Sequence, residues 1–248
     1  MAKNKVVKKG KWWFRAIKRI TTIKYKQPEF IFLEGKPFEN GTLILSNHEG
    51  TDAPMSLEMY LDKPLRMWGA HEMNSGLIKM YKYQTRVYYH EKKHWNLHLA
   101  RLFCLIASPL TNLFYKGINI ISTYRDGRFV KTIRESIDTI KNGENVVVYP
   151  ENSEDGYLAQ LKGFFAGFAV FADACKRKGI DLPIVVSYFK KSERVFVFDK
   201  PRKYSELLNE YGNREKVVEM LLDRCNELGR TDTKDLKIIS QENIKKAA

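Results

Sequence analysis

The sequence predicts an α/β fold: a mixed, mostly parallel sheet flanked by helices, preceded by a basic amphipathic N-terminal helix. Three observations carry that expectation. A chain of 248 residues fits one large domain. Short apolar runs alternate with longer segments of helical period, the pattern of strands joined by crossover helices. Apolar residues make up 44% of the chain and charged residues 29%, which excludes a disordered chain and a polytopic membrane protein.

The first acidic residue is Glu29, and ten lysines and arginines precede it, from Lys3 to Lys26. Within this arm Trp13, Ile17 and Ile20 recur at i, i+4 and i+7, while Lys11, Arg15, Lys18 and Arg19 supply a polar side. Residues 1–28 therefore read as an arm suited to a membrane interface. A basic tail followed by a helix packed on the domain is the plainer alternative. Phe30 to Leu33 and Thr42 to Leu45 read as short strands, Pro54 to Leu61 as a helix and Leu65 to Trp68 as the next strand. From Asn74 to Tyr115 the period is mostly helical, with a polar break near His94. Ile118 to Ile121 is expected as a strand; Val130, Ile133, Ile137 and Ile140 then mark one face of a helix that Gly143 can end. Val146 to Tyr149 is a buried-type strand, Phe164 to Cys175 an apolar helix, and Pro183 to Tyr188 and Val195 to Phe198 the last strands. Residues 203–228 look helical, and the polar tail 231–248 is expected to be loose, which leaves 29–230 as the folded domain.

Forty-three Lys and Arg against 29 Asp and Glu leave a net charge of +14, so an acidic partner is expected: nucleic acid, anionic lipid or an acidic substrate. Cys104, Cys175 and Cys225 form no CxxC pair, so neither a disulfide framework nor a cysteine zinc cluster is encoded. The longest uncharged run, Leu102 to Tyr115, has 14 residues, against the roughly 20 that cross a bilayer. No secretory signal follows the basic N-terminus. The expected location is the cytoplasm, in solution or on a membrane surface.

Three patterns could carry chemistry. The strand ending at Leu45 runs into Ser46-Asn47-His48-Glu49-Gly50-Thr51-Asp52. A histidine at the carboxyl end of a strand, with an aspartate opening the next helix, can pair imidazole and carboxylate in the crevice where α/β sheets bind ligands. The carboxylate fixes the tautomer and makes the other ring nitrogen a better base; such a pair also serves simply as a helix cap. A second strand end, Tyr149-Pro150-Glu151, carries Glu151 to the same sheet edge. The third pattern, His90-Glu91-Lys92-Lys93-His94, satisfies HExxH, but Lys92 and Lys93 between the metal-type residues suit a solvated basic face rather than a buried zinc helix. No RRM or KH signature accompanies the basic and aromatic stretch from Lys79 to Trp95, so nucleic acid is not expected.

In order and separation the first two patterns resemble the glycerolipid acyltransferase family, which includes the 1-acylglycerol-3-phosphate acyltransferases. Asn47-His48 with Asp52, the segment Gly117 to Arg125, Tyr149-Pro150-Glu151, and Pro183-Ile184-Val185-Val186 resemble four family blocks in their order, over residues 35–200. Ala70-His71-Glu72-Met73 is similar to a further short step. Two departures stand out: three residues rather than four separate His48 from Asp52, and Glu154 stands where the family has arginine. The resemblance implies transfer of a fatty acyl group from acyl-ACP or acyl-CoA to a hydroxyl of a lysophospholipid such as 1-acylglycerol-3-phosphate. His48 would be the general base, Asp52 its orienter, Glu151 and Asn47 acceptor contacts, and Arg125, Arg128 or Lys162 the phosphate holder. It implies no metal, no cofactor beyond the acyl donor, and a peripheral (monotopic) position at the cytoplasmic face of an anionic membrane. The apolar segment from Leu97 to Tyr115 would be part of an acyl groove or a membrane-facing surface. Two alternatives remain: an inactive lipid-binding protein of the same fold, and a zinc hydrolase through His90.

Overall fold

Leu43, Ile44 and Leu45 have no exposed surface, and Val146 and Val147 beside them have none either. Burial on both faces is what parallel central strands require, and these residues sit at the middle of an eight-stranded sheet in a computed structural model that describes residues 12–152, 156 and 158–247. Lys3, Lys5, Lys8, Lys9 and Lys11 of the basic arm, and Ser153 and Glu154 of the loop beyond Glu151, lie outside the described residues.

In chain order the elements are α1 (Trp12–Thr21), β1 (Glu29–Phe32), β2 (Leu43–Ser46), α2 (Asp52–Tyr60), β3 (Leu65–Ala70), a 3-10 turn (His71–Asn74), α3 (Leu77–Tyr83), a π-helical stretch (Gln84–Lys92), α4 (Leu97–Ile118), β4 (Ile121–Thr123), α5 (Phe129–Lys141), β5 (Asn145–Val148), α6 (Gly167–Arg177), β6 (Pro183–Lys190), β7 (Val195–Phe198), β8 (Arg202–Lys203), α7 (Tyr204–Tyr211), α8 (Arg214–Arg230) and α9 (Thr233–Ala247). The sheet order is β1-β7-β6-β2-β5-β3-β4, with β8 beside β6. β6 runs antiparallel to β7 and to β8; the other pairings are parallel. Alternation along the strands divides the core. Leu43, Leu45, Val146 and Val148 meet Phe168, Phe171, Val217 and Leu221 from α6 and α8. Ile44, Val147 and Val185 meet Ala53 and Leu57 of α2 and an aromatic group of Phe38, Phe189, Phe196 and Phe198.

Several boundaries differ from the expected ones for local reasons. The strand expected over Ile118 to Ile121 begins at Ile121, because α4 continues to Ile118 and stops at Asn119 in the left-handed conformation (φ 57°). Helix α6 starts at Gly167, since Phe164 forms a bridge to Glu151 and the Phe165 N–H donates to the Pro150 carbonyl at 2.7 Å. The helical region 203–228 is two helices, broken at Gly212 (φ 85°) and restarted by Asn213, whose side chain accepts from Lys216 N–H.

Two expectations are corrected outright. The tail, expected to be loose over 231–248, is helical where it is described, to residue 247: α9 lies on the edge strand β1, with Leu236 buried, Ser240 donating to the Phe32 carbonyl at 2.8 Å and Asn243 to Leu33 at 2.6 Å. It covers an edge that would otherwise expose unpaired backbone. In α1, Lys18 is not on a solvated cationic face. It is fully buried, 2.5 Å from Glu58 and 3.0 Å from the Glu58 carbonyl, and Phe14 one turn earlier is buried with it. The Phe14 ring lies directly on Gly117 of α4, where a Cβ would come within 2.1 Å of it. The helix is therefore docked through the Phe14 and Lys18 side, which leaves Trp12 and Ile20 exposed.

Candidate active site

β2, β5 and β6 end side by side. Leu45 is level with Val148 on one side, and Ser46 with Ser187 on the other. His48 and Glu151 follow those strand ends, so two neighbouring strands bring them to one sheet edge. The His48 and Tyr149 rings lie 4.9 Å apart, and Glu151 is almost fully buried. The shortened His48-to-Asp52 step is accommodated by a tight turn: Glu49 (φ 44°) and Gly50 (φ 67°) both take left-handed conformations, and α2 opens at Asp52. A carboxylate in the first turn is favoured by the helix dipole. The ion pair that Asp52 makes is with Lys191 Nζ, at 2.8 Å.

Asn47, expected as an acceptor contact, is engaged within the sheet. Its Oδ1 accepts from Phe189 N–H at 2.7 Å, its Nδ2 donates to the Phe189 carbonyl at 3.1 Å, and only 1% of it is exposed. Both ends of the amide are used to fasten β2 to β6, which fixes where His48 emerges. Arg128 is engaged by Asp126 at 2.7 Å and stacks over the Tyr124 ring, and that guanidinium holds the Asp126 carboxyl down at about 2. Arg125 is exposed and makes no ion pair among the described residues. Lys162 projects from the loop where Leu161 is clamped by both ends of the buried Asn226 amide and the Gly163 carbonyl accepts from Asn152 N–H. His90 and His94 do not share a helical face: His90 Nδ1 lies 2.9 Å from the Trp95 carbonyl, and His94 sits past the π-helical stretch with φ 55°.

Residues not singled out in the sequence complete the edge. Burial raises the Glu49 carboxyl above its ordinary value, against the charge of Lys191 and together with that of Asp52. Tyr25 Oη lies 2.9 Å from Thr51 Oγ1, and the hydrogen bond to Asp52 raises Lys191. Tyr88, on the π-helical stretch, is held protonated by burial and feels Tyr25, Lys24, Asp52 and Lys191; Tyr83, one turn earlier, is raised by burial and feels Glu72 and Arg125. Lys191 could be found only from the register of β6 on β2, a pairing of residues about 140 apart in the chain.

The chain resembles, in fold, a solved acyltransferase. Its similarity to the 1-acyl-sn-glycerophosphate (LPA) acyltransferase PlsC from Thermotoga maritima has a TM-score of 0.50 at 11% identity, over 89% of this chain and 80% of that one. No family model and no curated protein matches the sequence. The likeness is therefore one of fold, a sheet flanked by helices.

Proposed function

We propose that this protein transfers a fatty acyl group from acyl-ACP or acyl-CoA to a hydroxyl of a lysophospholipid, such as 1-acylglycerol-3-phosphate, at an anionic membrane surface on the cytoplasmic side. The observation that carries the reading is the delivery of His48 and Glu151 to one edge by the paired strands β2 and β5, with Asp52 opening α2 beside them. In this mechanism the His48 imidazole takes the proton from the acceptor hydroxyl as its oxygen attacks the thioester carbonyl. The tetrahedral intermediate then expels the thiolate, which recovers the proton from the imidazolium. No acyl-enzyme, metal or cofactor is required. Asp52 orients the imidazole, Glu151 positions acceptor hydroxyls, and Arg125, more available than Arg128, holds the phosphate.

The membrane reading is supported by α4. At 22 residues it is long and apolar enough to cross a bilayer by length and composition, longer than the uncharged run alone suggested, because Arg101 and Lys116 are incorporated near its ends. Ala100, Cys104, Ser108 and Phe114 face inward, whereas Leu102, Leu105, Ile106 and Leu110 are 62 to 75% exposed. From Leu77 to Ile118 the chain carries seven lysines and arginines and one acidic residue. Apolar surface rimmed by cations suits a helix lying in the interface of an anionic bilayer.

The Lys191 pairing of Asp52 favours one second reading, a lipid-binding protein that does not turn over. A panel of labelled acyl-ACP and acyl-CoA donors with lysolipid acceptors separates the two: the acyltransferase reading expects a diacyl product from at least one pair, and binding of lysolipid without product supports the inactive alternative.

A further inference from the structure

β6 extends past the end of β2. Because Asn47 is fastened to Phe189, the last residue of β6 and the first of the turn after it lie alongside the loop from His48 to Asp52. They are both lysines and they do different things. Lys190 is buried and donates to the Gly229 and Thr231 carbonyls at 2.7 and 2.6 Å, tying the strand to the C-terminus of α8. Lys191 turns to the site, its side chain 56% exposed and its Nζ on Asp52 Oδ2. An anionic acceptor approaching His48 meets Glu49 and Asp52, two carboxylates that would repel it; Lys191 pairs with Asp52 and its charge also acts on Glu49. Tyr25, 2.9 Å from Thr51 Oγ1, and Tyr88 also feel this charge cluster.

We infer that Lys191 joins Arg125 in reading the anionic group of the acceptor, and that its move to that group releases Asp52 to orient His48. The inference rests on the acyl-transfer reading above. An ion pair this exposed is held by little free energy. A phosphate carries more charge and more acceptor oxygens than one carboxylate, so it draws the ammonium away. The Asp52 carboxylate, no longer held by an ammonium, is then available to the imidazole, and a carboxylate on one ring nitrogen makes the other a stronger base. The site assembles when the charged acceptor arrives, and an acceptor without the anion leaves Lys191 on Asp52. Lys191 is thus a specificity and positioning residue, not a catalytic one.

The test compares wild type, Lys191→Ala and Lys191→Arg with 1-acylglycerol-3-phosphate and with uncharged monoacylglycerol, both dispersed in detergent with one acyl donor. The ratio of kcat/KM for the phosphorylated over the uncharged acceptor should fall roughly 10- to 100-fold in Lys191→Ala, the loss of one charge-assisted hydrogen bond, and recover in Lys191→Arg. An unchanged ratio, with both rates lower or neither altered, overturns the inference. Calorimetry with glycerol 3-phosphate needs no turnover. Binding to wild type that weakens by a similar factor in Lys191→Ala supports the anion-reading role, and equal affinity for both proteins removes it. Wild type that binds glycerol 3-phosphate through Lys191 but transfers nothing sinks the acyl-transfer reading while keeping Lys191 as an anion-reading cation.

Discussion

Two apolar regions of this molecule have similar composition and opposite surroundings. In the sheet, Leu43, Ile44 and Leu45 have no exposed surface; on α4, Leu102, Ile106 and Leu110 are 64, 75 and 66% exposed. The difference lies in the neighbours. β2 has β5 and β6 hydrogen-bonded to its two sides and helices on both faces, whereas α4 meets α3, the π-helical stretch, the 3-10 turn and α1 and still leaves a row of leucines and isoleucines exposed. An apolar run therefore says that water is disfavoured there, and the fold says what replaces it. In the sheet it is protein; on α4, by our reading, it is lipid.

Helix α1 is the joint between the two regions, with Phe14 on Gly117 of α4 and Lys18 on Glu58 of α2. It supplies the largest expected effect. Phe14→Ala should cost about 3–5 kcal/mol in urea unfolding, and deletion of residues 1–26, which a free membrane arm would tolerate, should destabilise the domain to a similar degree. An unchanged urea midpoint for either variant would show that α1 is dispensable to the fold. Next comes the direct contrast. Ile44→Ala should cost about 2–5 kcal/mol, while Ile106→Glu should stay within about 0.5 kcal/mol yet weaken flotation with anionic vesicles. Equal losses of stability at the two positions would erase the distinction between the regions.

A smaller effect concerns pH. Burial pushes Tyr188 on β6 up to about 12, with its hydroxyl donating to the Ala159 carbonyl at 2.7 Å. An unfolded tyrosine ionises near 10. The folded state therefore keeps a proton that the unfolded state loses, so this contribution is intact below about pH 10 and lost between about 10 and 12. It amounts to about 3 kcal/mol at most by pH 12. Tyr188→Phe should flatten the alkaline fall in stability while losing the hydrogen bond at neutral pH; an identical alkaline slope in the variant would mean other groups dominate.

Strand positions were legible in the sequence to within a few residues because short apolar runs bounded by polar turns have few other ways to be buried. His48 and Glu151 were legible as a pair because each directly follows such a run, and adjacent parallel strands end at one edge. What could not be read depends on pairing across the chain. Asn47 looks like part of a binding motif until Phe189 takes both ends of its amide. Lys18 looks like a solvated cation until Glu58 lies beside it, and Lys191 has no local mark at all. The polar composition of 231–248 hid α9, whose attachment to β1 uses the side chains of Ser240 and Asn243 rather than a continuous apolar stripe.

The central claim is that His48 is the base of an acyl transfer. Its most direct test is the initial rate of diacyl product formation by wild type and His48→Ala, using the best donor and acceptor from the panel and circular dichroism to confirm an unchanged fold. The account predicts a loss on the order of 100-fold or more in His48→Ala; a folded variant with wild-type turnover would contradict it.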